Sequence, residues 1–286
     1  MVDLAEPSQT PLCFAVIGNP VAHSYSPRIH HQFAEQFGIT LEYKKLLAEP
    51  GHFSEAVLDF CSTGGRGLNV TVPFKVDAWQ FAQSLSDRAR VAEAVNTLLF
   101  NSDGIAFGDN TDGAGLLQDI RHNLNFDLKG KRVLILGAGG AVRGILGPLI
   151  DASPAKMTIA NRTVNRAVQM VEQLTAGRTF LGFRITGCGF DALTGQIFDL
   201  VINGTSASLS HEMPSLPDAL FAPDALAYDL VYASRPTPFM EWAVRNGAAS
   251  VADGLGMLVE QAAESFSLWH GQSPKTQPVI DLLREG

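Results

Sequence analysis

The sequence predicts an α/β fold in two domains, and three observations carry that expectation. Apolar runs of strand length alternate with helical patterns almost throughout, an order that builds parallel sheets. Residues 131–144, KRVLILGAGGAVRG, join an unbroken apolar run to Gly137, Gly139 and Gly140 and then to a stripe of Ile145, Leu146, Leu149 and Ile150. At 286 residues the chain is also long enough for two cores.

Taken in order, residues 14–17 read as the first strand. Gly18-Asn19-Pro20 and His23-Ser24-Tyr25-Ser26-Pro27 follow, with Ser26 as N-cap and Pro27 as first residue of a helix to about residue 37. Residues 41–47 form a strand and 52–61 a helix. Gly64-Gly65-Arg66-Gly67 is a turn before a strand over 68–72, which Pro73 ends. A broken helical pattern covers 74–92, and 94–100 pairs with 105–107 across the turn Asn101-Ser102-Asp103-Gly104. Asp109-Asn110-Thr111-Asp112-Gly113 is a polar loop before a helix to about 122, and 123–130 crosses to the second domain. Strands are expected there at 132–136, 156–160, about 183–187, 198–202, 226–231 and 248–251. A last helix over 254–269 packs back on the first domain. The expected division is therefore residues 1–112 with 254–286, around 113–253.

The buried strand, glycine turn and helix at 131–144 make the first half of a Rossmann-like dinucleotide unit, whose backbone N–H groups approach a pyrophosphate at the helix's positive end. The third small residue of G-x-G-x-x-G/A would fall at Val142, so the fit is imperfect, and Pro148 inside the helix should cost about 3 kcal/mol or kink it. The strand at 156–160 ends in Asn161-Arg162-Thr163. NAD sites place a carboxylate here, whereas this chain offers Arg162 and, one turn on, Arg166, which favours the 2′-phosphate of NADP; the alternative is that both are solvated helix charges. Thr163 is placed as an N-cap ahead of a stripe of Ala167, Val171 and Leu174.

Composition removes several classes of function. A net charge of −8 argues against a nucleic-acid partner and supplies no basic patch for membranes. No apolar run approaches the roughly 20 residues of a membrane span, and residues 1–11 form a polar leader without a signal-peptide core. Cys13, Cys61 and Cys188 form no C-x-x-C and read as free thiols of a reducing cytoplasm. The histidines His23, His30 and His31 have no metal spacing, so no metal is expected, and no G-x-S-x-G elbow is present.

Hydride transfer to a ketone needs a proton donor beside the carbonyl oxygen. Lys75 is the leading candidate, at the end of a strand whose Asn69 and Thr71 project on one face; the alternative is a surface lysine that starts a helix. Asp112 either caps a helix or orients Lys75, and such a pair would titrate jointly. Ser24 and Ser26 could hydrogen-bond an anionic substrate at a helix start, with Ser26 as a plain cap the alternative. Gln261 either reaches a cleft or is solvated.

Several segments now carry a resemblance. His23-Ser24-Tyr25-Ser26-Pro27, N-V-T-V-P-F-K at 69–75, Ala94-Val95-Asn96-Thr97, the G-x-N-T-D-G pattern at 108–113, GAGGA at 137–141, Asn161-Arg162-Thr163, Tyr232 with Pro236-Thr237-Pro238-Phe239, and M-L-x-x-Q-A at 257–262 occur in one order. Through them the chain resembles the shikimate dehydrogenases, over nearly its whole length. The resemblance implies reduction of 3-dehydroshikimate by NADPH, with Lys75 and Asp112 carrying the proton. It implies that Ser24, Ser26 and Tyr232 hold the substrate carboxylate and that Asn69, Thr71, Asn96, Asp112 and Gln261 bind the ring hydroxyls. For NADP it implies Gly137, Ala138, Gly139, Gly140, Ala141, Asn161, Arg162, Thr163 and Arg166, with Asp87, Thr205, Leu230 and Gly254 as further cofactor-side positions. Departures from the family pattern are Gly204 in Asn203-Gly204-Thr205-Ser206, where alanine is usual, and Ala233-Ser234-Arg235 before Pro236. The expected protein is a cytoplasmic monomer or homodimer with small-molecule partners only. Two rivals stay open: a sister quinate/shikimate dehydrogenase that accepts NAD, and a non-catalytic sensor of the same metabolites.

Overall fold

The structure, a computed structural model, describes residues 11–176, 183–205 and 213–285. Nearly all of the leader, and Ser206, lie outside the described residues. The chain begins with β1 (Leu12–Gly18), α1 (Ser26–Gln36), β2 (Leu41–Leu47), α2 (Phe53–Ser62), β3 (Gly65–Val70), α3 (Lys75–Phe81), β4 (Ser84–Leu85), α4 (Asp87–Ala92), β5 (Thr97–Phe100) and β6 (Ala106–Asp109). Next comes α5 (Asp112–Gln118), continued by a π-helical turn at Asp119–Asn123. Then follow β7 (Arg132–Leu136), α6 (Gly140–Asp151), β8 (Lys156–Ala160), α7 (Val164–Thr175), β9 (Arg184–Cys188), β10 (Phe198–Asn203), β11 (Phe221–Asp229), α8 (Pro238–Arg245) and β12 (Ser250–Ala252). The helices α9 (Leu255–His270) and α10 (Gln277–Glu285) complete the described chain.

Among the described residues the strands form two six-stranded sheets, one in each of two α/β domains. The first, in the order β2-β1-β3-β5-β6-β4, is mixed rather than parallel, because β5 runs antiparallel to both β3 and β6. The hairpin across Asn101 to Gly104 reverses the chain, so a crossover helix is not needed there. The second sheet, β12-β11-β10-β7-β8-β9, is parallel throughout. Counted from β7, its order is the 3-2-1-4-5-6 of a dinucleotide-binding sheet, with the switch point between β7 and β10.

β7 is continuously apolar from Val133 to Leu136 because both faces are covered there. Val133 and Ile135 enter one core with α6 and α7, while Leu134 and Leu136 enter another with Phe239 and Ala243 of α8. On α7 the buried stripe is Ala167, Met170 and Leu174, with Val171 only partly covered. In the first sheet, Ala15 and Ile17 pack toward α2 and α3, and Phe14 and Val16 toward Tyr43 and Trp269. α9 returns to this domain: Val259, Ala262 and Phe266 pack with Ile29 and Phe33 of α1 and Ile280 of α10. Its approach to α5 needs Gly115, where an added Cβ would lie 2.5 Å from the Gln261 nitrogen.

Several local expectations are corrected. The turn expected at 64–67 is mostly strand, since β3 begins at Gly65. Its glycines serve packing: a Cβ would lie 2.2 Å from the Phe60 ring at Gly65 and 2.6 Å from the Trp269 indole at Gly67. Tyr25, not Ser26, is the N-cap of α1, because Ser24 Oγ accepts the Ser26 amide and the first helical bond runs from Ile29 N–H to Tyr25 O. The strand expected at 226–231 spans Phe221–Asp229. Pro148 does not end α6, which continues to Asp151, and Gly113 of α5 packs against the Pro148 ring and the Gly144 carbonyl. α8 and α10 had no counterpart in the sequence reading.

Candidate active site

β3 positions the first side chains. Asn69 is buried in the strand, but β3 stops at Val70, so Thr71 lies beyond it, its N–H donating to Ile17 O at 2.9 Å. The buried Phe74 precedes Lys75, which is the first residue of α3 rather than the end of a strand. The Lys75 carbonyl accepts from Val95 N–H at 2.8 Å, tying α3 to the segment that carries Asn96.

Lys75 Nζ meets Asp112 Oδ2 at 2.5 Å, and the carboxylate is only 6% exposed. Asp112 opens α5 after Thr111, its N–H held by Asn110 Oδ1 at 3.2 Å. Asn96 Nδ2 donates to Asp112 Oδ1 at 2.8 Å and lies 3.2 Å from Gln261 Oε1. Gln261 is therefore directed into this cluster and not into solvent. The sequence reading missed Thr111, whose hydroxyl bridges Asn96 and Gln261, and its only signal was its place between Asn110 and Asp112. Asp109 and Arg88 brace the same segment, and Arg88 holds the Asp109 carboxyl below its ordinary range despite burial.

Ser24 and Ser26 form a second group, their hydroxyls 3.1 Å apart. Tyr232 of the second domain reaches them through Tyr25, the two rings lying 5.8 Å apart. Burial and the neighbouring Tyr25 raise the Tyr232 phenol. Arg235 is exposed.

At the switch point, Gly137 has a φ of +103°, and a Cβ there would lie 2.9 Å from Gly204 O. Gly139 and Gly140 are different: a Cβ on either meets nothing within 4 Å, so the amino end of α6 opens onto free space. No acidic residue occupies the first turn of α6. Arg162, Thr163 and Arg166 are exposed at the end of β8 and start of α7, and Asn161 Nδ2 holds the Thr163 carbonyl at 2.9 Å. Thr163 takes the N-cap position without a side-chain bond to the helix. This open cradle of N–H donors with two arginines beside it has the chemistry to fit NADP. Thr205, Leu230 and Gly254 lie just past the carboxyl ends of the neighbouring strands β10, β11 and β12, where a Cβ at Gly254 would lie 2.3 Å from Leu230 O. Asp87 does not join them. It lines a groove with Asp151 and Ala152, at the end of α6 away from the glycine turn, and pairs with Arg90.

Two departures from the motif compensate each other. A Cβ at Gly204 would lie 2.5 Å from Val142 Cγ2, so the glycine at 204 makes room for the valine where a small residue is usual. Gly204→Ala should therefore destabilise the protein by about 1–3 kcal/mol through overpacking, and Val142→Ala in the same chain should recover part of it. A double-mutant cycle in urea checks this; additive losses would remove the coupling.

The two halves of the site meet at Gly144 of α6, where an added Cβ would lie 3.2 Å from Asp112 Oδ2. A parallel nucleotide-type sheet, a glycine turn at its switch point and a lysine–carboxylate pair beside its first helix define a two-domain oxidoreductase of the dinucleotide-dependent class. Residues 16–98 match the family model of the shikimate dehydrogenase substrate binding domain, 119–208 that of shikimate / quinate 5-dehydrogenase, and 254–284 that of the shikimate 5′-dehydrogenase C-terminal domain. A shikimate dehydrogenase (NADP(+)) of Halorhodospira halophila is 56% identical over 96% of this chain and 98% of its own. Among solved structures, an Ael1 enzyme from Pseudomonas putida aligns with a TM-score of 0.87 and 45% identity over 95% of this chain and 98% of that one. The shikimate 5-dehydrogenase of Thermus thermophilus, in complex with NADP(H) and shikimate, aligns with a TM-score of 0.83 and 32% identity over 96% of this chain and 99% of that one. The chain belongs to the shikimate dehydrogenase family.

Proposed function

We propose that the chain catalyses the reversible, NADP-linked interconversion of shikimate and 3-dehydroshikimate, a step of chorismate and aromatic amino acid biosynthesis. The observation that carries this reading is the 2.5 Å pair of Lys75 and Asp112 beside α6, whose amino end bears the glycine turn. When bound, NADP supplies the hydride acceptor for oxidation of the substrate hydroxyl and, reduced, the donor for the reverse. Lys75 takes the proton of that hydroxyl during oxidation and returns it to the carbonyl oxygen during reduction. Asp112 holds the ammonium in place, and Asn96 in turn fixes the carboxylate.

On this reading Ser24, Ser26 and Tyr232 hold the substrate carboxylate, and Asn69, Thr71, Asn96, Asp112 and Gln261 the ring hydroxyls. Gly137 to Ala141 hold the pyrophosphate, Asn161, Arg162, Thr163 and Arg166 the 2′-phosphate end, and Thr205, Leu230 and Gly254 the nicotinamide side. The substrate domain comprises residues 1–112 and 254–286, and the NADP domain 113–253. The packing of α9 on α1 supports that division. The enzyme works in the cytoplasm as a monomer or homodimer without nucleic-acid or membrane partners. Its net charge of −8 supports the expectation of no nucleic-acid partner. No helix among the described residues is long and apolar enough to span a membrane.

Assays of shikimate and quinate with NADP and NAD test the reading. The expected result is turnover of shikimate with NADP well above the other three combinations. Comparable rates with NAD would favour the sister quinate/shikimate enzyme, and tight binding without nicotinamide reduction would favour a sensor. Arg162→Ala should raise the KM for NADP about tenfold or more, with that for NAD nearly unchanged; equal effects would remove the 2′-phosphate role.

A further inference from the structure

Thr97 stands directly opposite Asn69 in the antiparallel β3–β5 pair, and such cross-strand partners bring their Cβ atoms within about 4.5–5.5 Å. It is fully buried, yet the reaction described above gives it no part. Its Oγ1 lies 2.9 Å from Asn96 Oδ1, 2.7 Å from Ser265 Oγ and 3.4 Å from Asn69 Nδ2. Ser265, also fully buried and one turn beyond Gln261 on α9, accepts from Asn69 Nδ2 at 3.0 Å. Two hydroxyls thus join two amides, one on β3 and one on the residue just before β5.

The orientation of each amide follows from which neighbours can only donate. The backbone N–H of Thr111 lies 2.9 Å from Asn96 Oδ1, so that atom must be the amide oxygen. Thr97 donates to the same oxygen, and Nδ2 is left to face Asp112 and Gln261. The 2.7 Å contact between the Thr97 and Ser265 hydroxyls can run in either direction, and the Gln261 carbonyl at 3.1 Å is a further acceptor for the Ser265 proton. On the far side the Tyr43 hydroxyl donates to Asn69 Oδ1 at 2.6 Å, which turns Asn69 Nδ2 toward Ser265 and Thr97. A buried amide that loses such a partner is costly to leave unpaired and free to turn.

We propose that Thr97, backed by Ser265, is the positioning residue that sets the spacing and orientation of the Asn69 and Asn96 amides for the hydroxyls of the substrate ring. The proposal rests on the shikimate reading of this site. It assigns to Thr97 ground-state recognition of the polyol, distinct from the proton transfer of Lys75.

Steady-state kinetics of Thr97→Val, Thr97→Ser and Ser265→Ala, with melting temperatures measured alongside, test it. Thr97→Val keeps the shape and removes the hydroxyl. It should raise the KM for shikimate about tenfold while kcat falls less and the KM for NADP stays within about twofold, as expected for loss of uniform binding. Thr97→Ser should restore the shikimate KM, and Ser265→Ala should raise it about threefold. A shikimate KM within twofold of the parent in Thr97→Val, or an equal rise for NADP, overturns the proposal. If Thr97→Val does not accumulate, an unchanged shikimate KM in Ser265→Ala does the same. A parent chain that oxidises no shikimate would instead overturn the functional reading itself, so the two failures are distinguishable.

Discussion

Lys75→Ala lowers turnover of shikimate by about three orders of magnitude, within the range that a positioned acid–base group contributes, while the KM for shikimate changes only a few-fold. The structure gives the reason for the split. Removing the ammonium deletes the proton carrier, but Asp112 remains held by Asn96 at 2.8 Å and by its place at the start of α5. Asn69, Asn96 and Gln261 keep their own partners, none of which is Lys75. Parallel determination of kcat and KM checks this. A variant within tenfold of the parent turnover would take the proton from Lys75, and a KM raised as much as kcat falls would make the lysine chiefly a binding group.

Stability falls as pH drops from 7 to 5, and the buried His30 contributes to the fall. It is fully buried in an aromatic box, 4.7 Å from the Tyr43 ring and 5.0 Å from that of Trp269, and neither ring nitrogen has a hydrogen-bond partner. Burial pushes its pKa down to about 3, Asn69 nearby offsets this only in part, and His270 and His31 add to the depression. The folded state therefore holds the neutral ring while the unfolded chain, with a pKa near 6.5, binds a proton. The contribution is complete above that pKa and is lost on acidification from there toward about 3, at about 1.4 kcal/mol per pH unit. At pH 5 this amounts to about 2 kcal/mol. His270 is lowered by burial and has the same sign; Asp119, raised by burial, has the opposite one. His30→Phe isolates the term, since the other groups are common to both proteins. Urea unfolding at pH 7 and 5 should show the parent losing about 2 kcal/mol more than the variant; equal losses would place the acid sensitivity elsewhere.

Much of the architecture was legible because it is written in local pattern. The four apolar residues that end β7 feed two cores in alternation, and a strand covered on both faces has to look that way. Gly137 had to be glycine for its positive φ, and Asn161-Arg162-Thr163 ended β8 without the carboxylate of an NAD site. What failed depended on distant neighbours. Gly65 and Gly67 looked like a turn, yet they are strand residues whose missing side chains admit Phe60 and Trp269, the latter from the far end of the chain. Asp87 was a further cofactor-side position implied by the resemblance, but it lines a groove with Asp151 and Ala152 at the far end of α6 from the glycine turn. Thr97 stood in the Ala94-to-Thr97 segment without a role, and Ser265 gave no signal, because an ordinary hydroxyl gains meaning only from the amides beside it.

By itself, then, the sequence determined the alternating α/β order, the nucleotide-type turn, the cation at the end of β8 and the residue types at the site. Those features follow from backbone sterics and from side-chain spacing within a few residues, which a linear string records directly. The tertiary structure alone decided that Lys75 and Asp112 meet across 37 residues, that Gln261 arrives on a returning helix, and that Gly204 makes room for Val142. Each of those depends on how sheets and helices pack in three dimensions, where a separation of an ångström decides between a hydrogen bond and a clash.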